Sequence, residues 1–481
     1  MNLSPRAPHP ARRNAIHHSN PSSPRSKLHL LQLVRNRPTA LRSPTHSLRP
    51  IPQANSLQAS PKRSEDLLHL NSTYSQRSFH LQTTLQSGSL TDRTRLSRLT
   101  SFPSSPALSP SSSPPDFTAV LPASTAQVLS LLCDTLLEEE KRELAALSKV
   151  YYMGTKSTRL QGLPIDDSKG NYPLNPGDHL NYRYEILSLL GKGSFGHVVR
   201  CIDHKKREHV AVKVLRSRDR LRTQGLIEVK ALTLLRDKDP EDRMGLLRLK
   251  TAFEFRLHLC IVTDILGVSL YDTIRGSGNR GFPMPTIRRL LKQITTALAF
   301  THNLHIIHCD LKPENVLFRL HVPMLRLIDF GSCCFEDARI YTYIQSRFYR
   351  APEIILGAQY SQAIDIWSLG CLAAELCMGK PLFQGEDERR QIGLIVDLLG
   401  LPPLRLVDQG SRSHLYFKHT VTGLKLLSPS KGTSRLAKPW KGALGTEDPG
   451  CLDFIKRCLA WQAEDRLTAA QANVHSWVQG Q

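Results

Sequence analysis

His308-Cys309-Asp310-Leu311-Lys312-Pro313-Glu314-Asn315 is the stretch on which the reading of this chain turns. It follows the apolar pair Ile306-Ile307 and has the spacing H-x-D-x-x-x-x-N. Those residue types suit phosphoryl transfer. An acceptor hydroxyl needs a group that orients it and takes its proton, and Asp310 can do both. Charge on the transferred group needs a nearby cation, which Lys312 supplies. A hard divalent cation needs oxygen ligands; Asn315 offers one, and Asp329 of Asp329-Phe330-Gly331 offers another. Asp329 follows Leu325-Arg326-Leu327-Ile328, which reads as a short strand. Asp-Phe-Gly alone is a common loop turn. Both motifs in this order, with Ala351-Pro352-Glu353 after them, are far more specific.

Upstream, Gly191-Lys192-Gly193-Ser194-Phe195-Gly196-His197-Val198 fits G-x-G-x-x-G-x-V. A dinucleotide fingerprint would open directly into a helix. Here Val198–Ile202 continues with β-branched residues, Asp203-His204-Lys205-Lys206 reads as a turn, and Val210-Ala211-Val212-Lys213-Val214 as another strand. The pattern is therefore a glycine-rich hairpin, which can lie over phosphates because backbone N–H groups approach closely. No G-x-x-x-x-G-K-[ST] occurs. Lys213 lies in an apolar strand and needs a partner there. Glu228 is the candidate, on a predicted helix whose apolar face runs through Ile227, Ala231, Leu234 and Leu235. A strand lysine paired with a helix glutamate can hold nucleotide phosphates.

The chain has 481 residues and a formal charge of +22. That leaves nucleic acid, phosphate and anionic membrane open as partners. The ten cysteines form no CxxC pair, so reduced thiols are expected rather than a disulfide scaffold. There is no run of 18 apolar residues and no apolar core in the first 20, so neither a membrane span nor a secretory leader is expected. Residues 1–120 hold 15 Lys and Arg against 4 Asp and Glu, with 15 of the 31 prolines and 23 serines. So little apolar surface cannot offset ordering entropy, and a disordered tail is expected. An alternative is a mitochondrial transit peptide, which the early prolines oppose. Seven Ser-Pro steps there are possible phosphoacceptors or plain filler. Ser124 and Gln127 have capping-box spacing ahead of a predicted amphipathic helix, in one or two pieces, up to Leu147. Residues 154–182 read as loop, and 408–450 as the next low-complexity stretch.

Over about 184–478 these motifs resemble a eukaryotic protein kinase. More narrowly they resemble the dual-specificity tyrosine-phosphorylation-regulated kinases. His308-Cys309-Asp310, with Cys where most kinases carry Arg, and Tyr341-Thr342-Tyr343-Ile344-Gln345-Ser346-Arg347-Phe348-Tyr349-Arg350 carry that likeness. Asp166–Tyr184 is similar to the family's homology box. Residues 124–160, with Tyr151-Tyr152-Met153-Gly154, are similar to the accessory region of its class II members, and the compact C-terminus most to the fourth vertebrate member.

The resemblance implies an α+β bilobal kinase fold, with a β-rich N-lobe over 184–265 and a mainly helical C-lobe over 266–478. An accessory region and homology box would fill 121–183, and a disordered basic tail 1–120. It implies ATP and Mg2+, with Mn2+ as an alternative. The nucleotide would lie between the glycine loop, Ala211, Lys213 and the rear wall and hinge Thr263-Asp264-Ile265-Leu266. Thr263 stands where most relatives have Phe, which opens the back of that pocket. It implies autophosphorylation of Tyr343 in cis, then phosphorylation of Ser or Thr on protein substrates before proline and after an upstream arginine. Arg347 and Arg350 would clamp the phosphate on Tyr343; the alternative is that Tyr341, Tyr343 and Tyr349 only pack. Glu314 and Asp272 match positions that read the substrate arginine. Glu353 would pair with Arg466, and Asp365 would anchor the catalytic-loop backbone. A cytoplasmic monomer is expected, with the nucleus as a further location and without membrane or nucleic-acid partners. Two other classes remain: a catalytically silent scaffold, separated by a phosphotransfer assay, and nucleic-acid binding by the tail, separated by its salt dependence.

Overall fold

A computed structural model of the chain describes residues 121–154, 166–339, 341–427 and 439–481. The segment read as a basic disordered tail, with its Ser-Pro steps, lies outside the described residues, as do 155–165 and 428–438.

The first described segment opens with β1 (Ala123–Ser124), which pairs antiparallel with β2 (Lys149–Val150). Ser124 caps the helix Thr125–Leu132, and the Gln127 side chain accepts from the Ser124 amide at 2.9 Å. The amphipathic stretch does break in two. A second helix, Glu138–Ala145, starts where Glu140 reaches back to the Leu137 amide at 3.1 Å. Val128, Leu132, Leu144 and Val150 then share one apolar cluster with Tyr184 and Val199 of the adjoining sheet and with Tyr182 in the turn before Tyr184. Glu143 adds polar ties, accepting from Tyr182 Oη at 2.6 Å and from Arg256 Nε at 2.9 Å.

The sheet has six antiparallel strands: β3 (His179–Leu180), β4 (Tyr184–Lys192), β5 (Gly196–Asp203), β6 (Glu208–Leu215), β7 (Leu249–Phe255) and β8 (His258–Asp264), in the order β3-β4-β5-β6-β8-β7. The short β3 falls in a stretch read as loop; its two residues pair with Tyr184 and Glu185. Strand β6 shows how the sheet divides two cores. Val210, Val212 and Val214 join the cluster of the first described segment, while Leu215, one step out of phase, joins the other cluster with Leu232 and Leu235. Lys213 has the parity of Leu215, so strand alternation turns it toward the cleft.

The helix Asp219–Lys238 packs under that face. Its buried stripe runs through Gln224, Gly225, Glu228, Ala231, Leu232 and Leu235; Ile227 and Leu234, expected on the face, are only half-buried. Those two still pack against the same core, and Gly225 sets the closest approach. A Cβ there would lie 2.2 Å from Leu215 Cδ1, so the helix closes on the sheet along the stripe that carries Glu228 inward.

The C-lobe is built on Ala363–Met378, a helix buried on nearly every side, as a central helix must be. The helices Met284–Asn303 and Pro449–Cys458 contribute to the same apolar cluster. Glu353 and Arg466 form a buried pair here, both guanidinium–carboxylate contacts at 2.7 Å. Arg466 also donates to the carbonyls of Ala460, Ala363 and Trp461. The stretch whose composition suggested low complexity contains a hairpin, Phe417–Thr420 with Gly423–Leu426, and a short helix, Trp440–Leu444. Buried Phe417 and Tyr416 explain why it folds.

Candidate active site

The glycine loop joins β4 and β5, with Gly191 opposite Val198 and Lys192 opposite His197. Gly193 N–H donates to Gly196 O at 2.8 Å and closes the turn over Ser194 and Phe195. Gly196 is required by the protein itself, since an added Cβ would lie 2.1 Å from Val214 O. Gly191 and Gly193 are different. Nothing lies within 4 Å of a Cβ at Gly191, and only Gly196 O, at 3.7 Å, lies near one at Gly193. The chain's own packing does not require glycine at these two positions. Ala211 pairs in register with Thr263, which is buried at the end of β8; Asp264 follows and takes Lys250 at 2.8 Å. Half-buried Ile265 and Leu266 lead into the C-lobe.

Lys213 Nζ donates to Glu228 Oε1 at 2.8 Å and Oε2 at 2.9 Å, and to Asp329 Oδ1 at 2.9 Å. Burial pulls the lysine pKa down, but the charges of Asp329 and Glu228 outweigh it and push it up. Burial raises the Asp329 carboxyl, while Lys213, by charge and hydrogen bond, and then Lys312 bring it down to about 2. Asp329 is left-handed at φ 60°, which puts its side chain over the Gly331 amide. A Cβ on Gly331 would sit 2.9 Å from Lys213 Nζ and 3.0 Å from Asp329 Oδ1, so this glycine keeps the ion cluster closed.

The catalytic-loop motif is suspended from Asp365, fully buried, whose carboxylate accepts from the amides of His308 at 2.8 Å and Cys309 at 2.9 Å. The His308 ring accepts the Asp310 amide on Nδ1 (3.2 Å) and meets Ile328 O through Nε2 (2.9 Å), which the neutral tautomer with its proton on Nε2 satisfies. Asp310 itself is held at both oxygens. Oδ2 takes Lys312 Nζ at 2.7 Å and Asn315 Nδ2 at 3.2 Å; Oδ1 takes the Ser346 amide at 3.0 Å and hydroxyl at 2.8 Å. Lys312 also donates to Ser346 at 2.9 Å. Burial lowers the Lys312 pKa, but Asp310 and Glu314 raise it further.

The donor set fits a nucleotide with a divalent cation. Asp329 is an ionised oxygen donor, and the Asn315 amide nitrogen is fixed on Asp310, which leaves its carbonyl as the free donor. Among the described residues no cluster of three or more His, Cys, Asp or Glu could cage a metal alone. Such a sparse set suits a hard divalent cation that takes one or two protein oxygens and completes its shell with water and phosphate.

The activation segment is only partly as expected. Tyr349 is buried and donates to Glu375 at 2.6 Å, so it packs. Tyr343 is half-buried, and the Arg350 guanidinium lies 4.2 Å from its ring centroid. Arg347 donates instead to the carbonyls of Gly385 and Glu386. Glu314 and Asp272 are exposed; desolvation raises Glu314, with Asp310 and Asp272 adding to the shift against Lys312. Asp272 also completes a capping box with Ser269, accepting its hydroxyl at 2.7 Å. Ser346, Glu388 and Arg412 were not anticipated. Nothing in local spacing ties Ser346 to Asp310, or Glu388 and Arg412 to Tyr343.

Residues 184–478 match the family model for the protein kinase domain. Dual specificity tyrosine-phosphorylation-regulated kinase 4 of Homo sapiens is 40% identical over 363 residues, 73% of this chain and 70% of that protein. The chain belongs to the dual-specificity tyrosine-phosphorylation-regulated kinase family. Kinase 3 of this family from Mus musculus is 41% identical over 387 residues, covering 75% of this chain and 66% of the relative. Serine/threonine-protein kinase ppk5 of Schizosaccharomyces pombe is 42% identical over 361 residues, 71% of this chain and 42% of the relative. The chain thus spans less than two thirds of the length of both these relatives. Identities of 40% to 42% set the family, not the member.

Proposed function

We propose that this chain is an ATP- and Mg2+-dependent protein kinase, with Mn2+ as an alternative metal. It phosphorylates its own Tyr343 in cis and then Ser or Thr on protein substrates, before proline and after an upstream arginine. The observation that carries the reading is the cleft: Lys213 joins Glu228 to Asp329, while Lys312 and Asn315 hold Asp310. When bound, ATP supplies the phosphoryl group and its cation offsets charge on the phosphate oxygens.

The protein's own groups do the rest. The glycine loop covers the phosphates, and Lys213, held by Glu228, steadies them. Ala211, Thr263, Asp264, Ile265 and Leu266 line the base. Asn315 and Asp329 hold the metal. Asp310 orients the acceptor hydroxyl and receives its proton; Lys312 stabilises charge beside it. Glu314 and Asp272 are the carboxylates that would meet a substrate arginine, and Asp272 does so with its capping bond intact. The molecule acts as a monomer in the cytoplasm and in part the nucleus, with the basic tail directing location or regulation.

Phosphopeptide mass spectrometry on bacterially made protein tests this. Phosphate on Tyr343 in the wild type, and none in Asp310→Asn, is the expected result. An unmodified Tyr343 in folded wild type would remove self-activation and favour a scaffold.

A further inference from the structure

A phosphotyrosine brings close to two negative charges and three acceptor oxygens, and is best met by more than one arginine. Around Tyr343 the sequence offers Arg347 and Arg350, and the structure separates them. Arg350 lies against the ring, 4.2 Å from its centroid, with Nη1 on Glu388 Oε1 at 2.9 Å. Its other donors reach the carbonyls of Ile344 and Gln345, at 3.0 Å and 2.7 Å. Arg347 is turned to the carbonyls of Gly385 and Glu386.

The second guanidinium in the pocket comes from outside the activation segment. Arg412 follows the helix Leu404–Gln409 and pairs with the other oxygen of Glu388, and with Tyr416 Oη at 3.1 Å. Tyr416 Oη also donates to Glu388 at 3.1 Å. One carboxylate therefore bridges two guanidiniums. Burial pulls Arg412 down, but Glu388, by hydrogen bond and charge, pushes it up. The side chain of Arg350 is 4% exposed and fixed, whereas that of Arg412 is 32% exposed and has room to turn.

We propose that Arg412, together with Arg350, binds the phosphate on Tyr343, and that Glu388 holds the two guanidiniums in place until that phosphate arrives. The proposal rests on the reading of Tyr343 as a phosphorylated residue. Arg412 is a positioning residue: it acts on the activation segment and touches no reacting atom.

The test uses the full chain as wild type, Arg412→Gln, Arg412→Lys, Tyr343→Phe and the Arg412→Gln/Tyr343→Phe double variant. Three quantities are read: phosphate on Tyr343 by mass spectrometry, its removal rate by a tyrosine phosphatase, and turnover of a Ser-Pro peptide with arginine upstream. Arg412→Gln should lose its phosphate about tenfold faster than wild type, the scale of one charge-assisted contact. Its peptide turnover should fall toward that of Tyr343→Phe, and the double variant should be no slower than Tyr343→Phe alone. Arg412→Lys should recover part of the protection. Wild-type removal rates in Arg412→Gln, or additive losses in the double variant, would overturn the proposal. Should Arg412→Gln melt early, Glu388→Gln replaces it. Protection is expected to survive there, because the phosphate takes over the role of the carboxylate, and its loss would count against the proposal. Absence of phosphate from wild-type Tyr343 is a separate signature: the underlying reading fails, and the proposal with it.

Discussion

The cleft and the Tyr343 pocket are both built from charged side chains, but their balances are opposite. In the cleft, Lys213 and Lys312 meet three carboxylates, Glu228, Asp310 and Asp329. In the pocket, Arg350 and Arg412 meet the single carboxylate of Glu388. A site short of positive charge suits a ligand that brings a cation with it. A site with a surplus guanidinium suits an incoming anion. The same ion-pair chemistry thus prepares one region for a nucleotide with its metal and the other for a phosphate on the chain itself.

One buried pair anchors the end of the activation segment, and removing it is the harshest way to break the comparison. Glu353 lies in the first turn of the helix Pro352–Leu356 that ends the activation segment, and the side chains of Arg466 and Glu353 are 0% and 3% exposed. Arg466→Met leaves a buried carboxylate without its cation. A loss of about 3–5 kcal/mol is expected in chemical denaturation, with cleft and pocket failing together. A loss below about 1 kcal/mol would mean that the two regions are supported separately.

A gentler perturbation acts where buried Tyr349 meets Glu375, behind the activation segment. Burial raises the Glu375 carboxyl, Tyr349 pulls it down and Glu314 raises it again, leaving it at about 7. The folded state therefore favours the neutral acid. That stability is fully present below the unfolded value of 4.5 and is lost as pH rises through about 7. Glu375→Gln should flatten the fall in melting temperature across this window, a change on the order of 2–3 kcal/mol. A wild-type melting temperature that does not fall between pH 5 and about 7 would contradict this assignment.

What the sequence disclosed follows the same division. The cleft was legible because its members sit in short motifs whose spacing reflects the chemistry: Asp310, Lys312 and Asn315 in one turn, Asp329 beside Gly331. Lys213 and Glu228 were legible as a pair because a buried lysine demands a partner. Apolar period found the packed face of the helix carrying Glu228, with Ala231 and Leu235 buried and Ile227 and Leu234 at its margin, but it does not register the close Gly225–Leu215 approach. The pocket was half legible. Tyr343 and Arg350 lie in one motif, but Glu388 and Arg412 come from distant elements and only tertiary folding brings them there. The hairpin Phe417–Thr420 with Gly423–Leu426 was hidden by a polar, glycine-rich composition, since its anchoring apolar residues are few.

The central claim is that Asp310 takes the proton of the acceptor hydroxyl. Its most direct test is single-turnover phosphoryl transfer to a Ser-Pro peptide, comparing Asp310 with Asp310→Asn in a Tyr343→Phe background, so that neither chain carries phosphate at that position. A fall of about 10²–10⁴ with nucleotide binding retained is predicted. A rate within a few-fold of the parent would show that the carboxylate is not the base, and the reading of the cleft would fail with it.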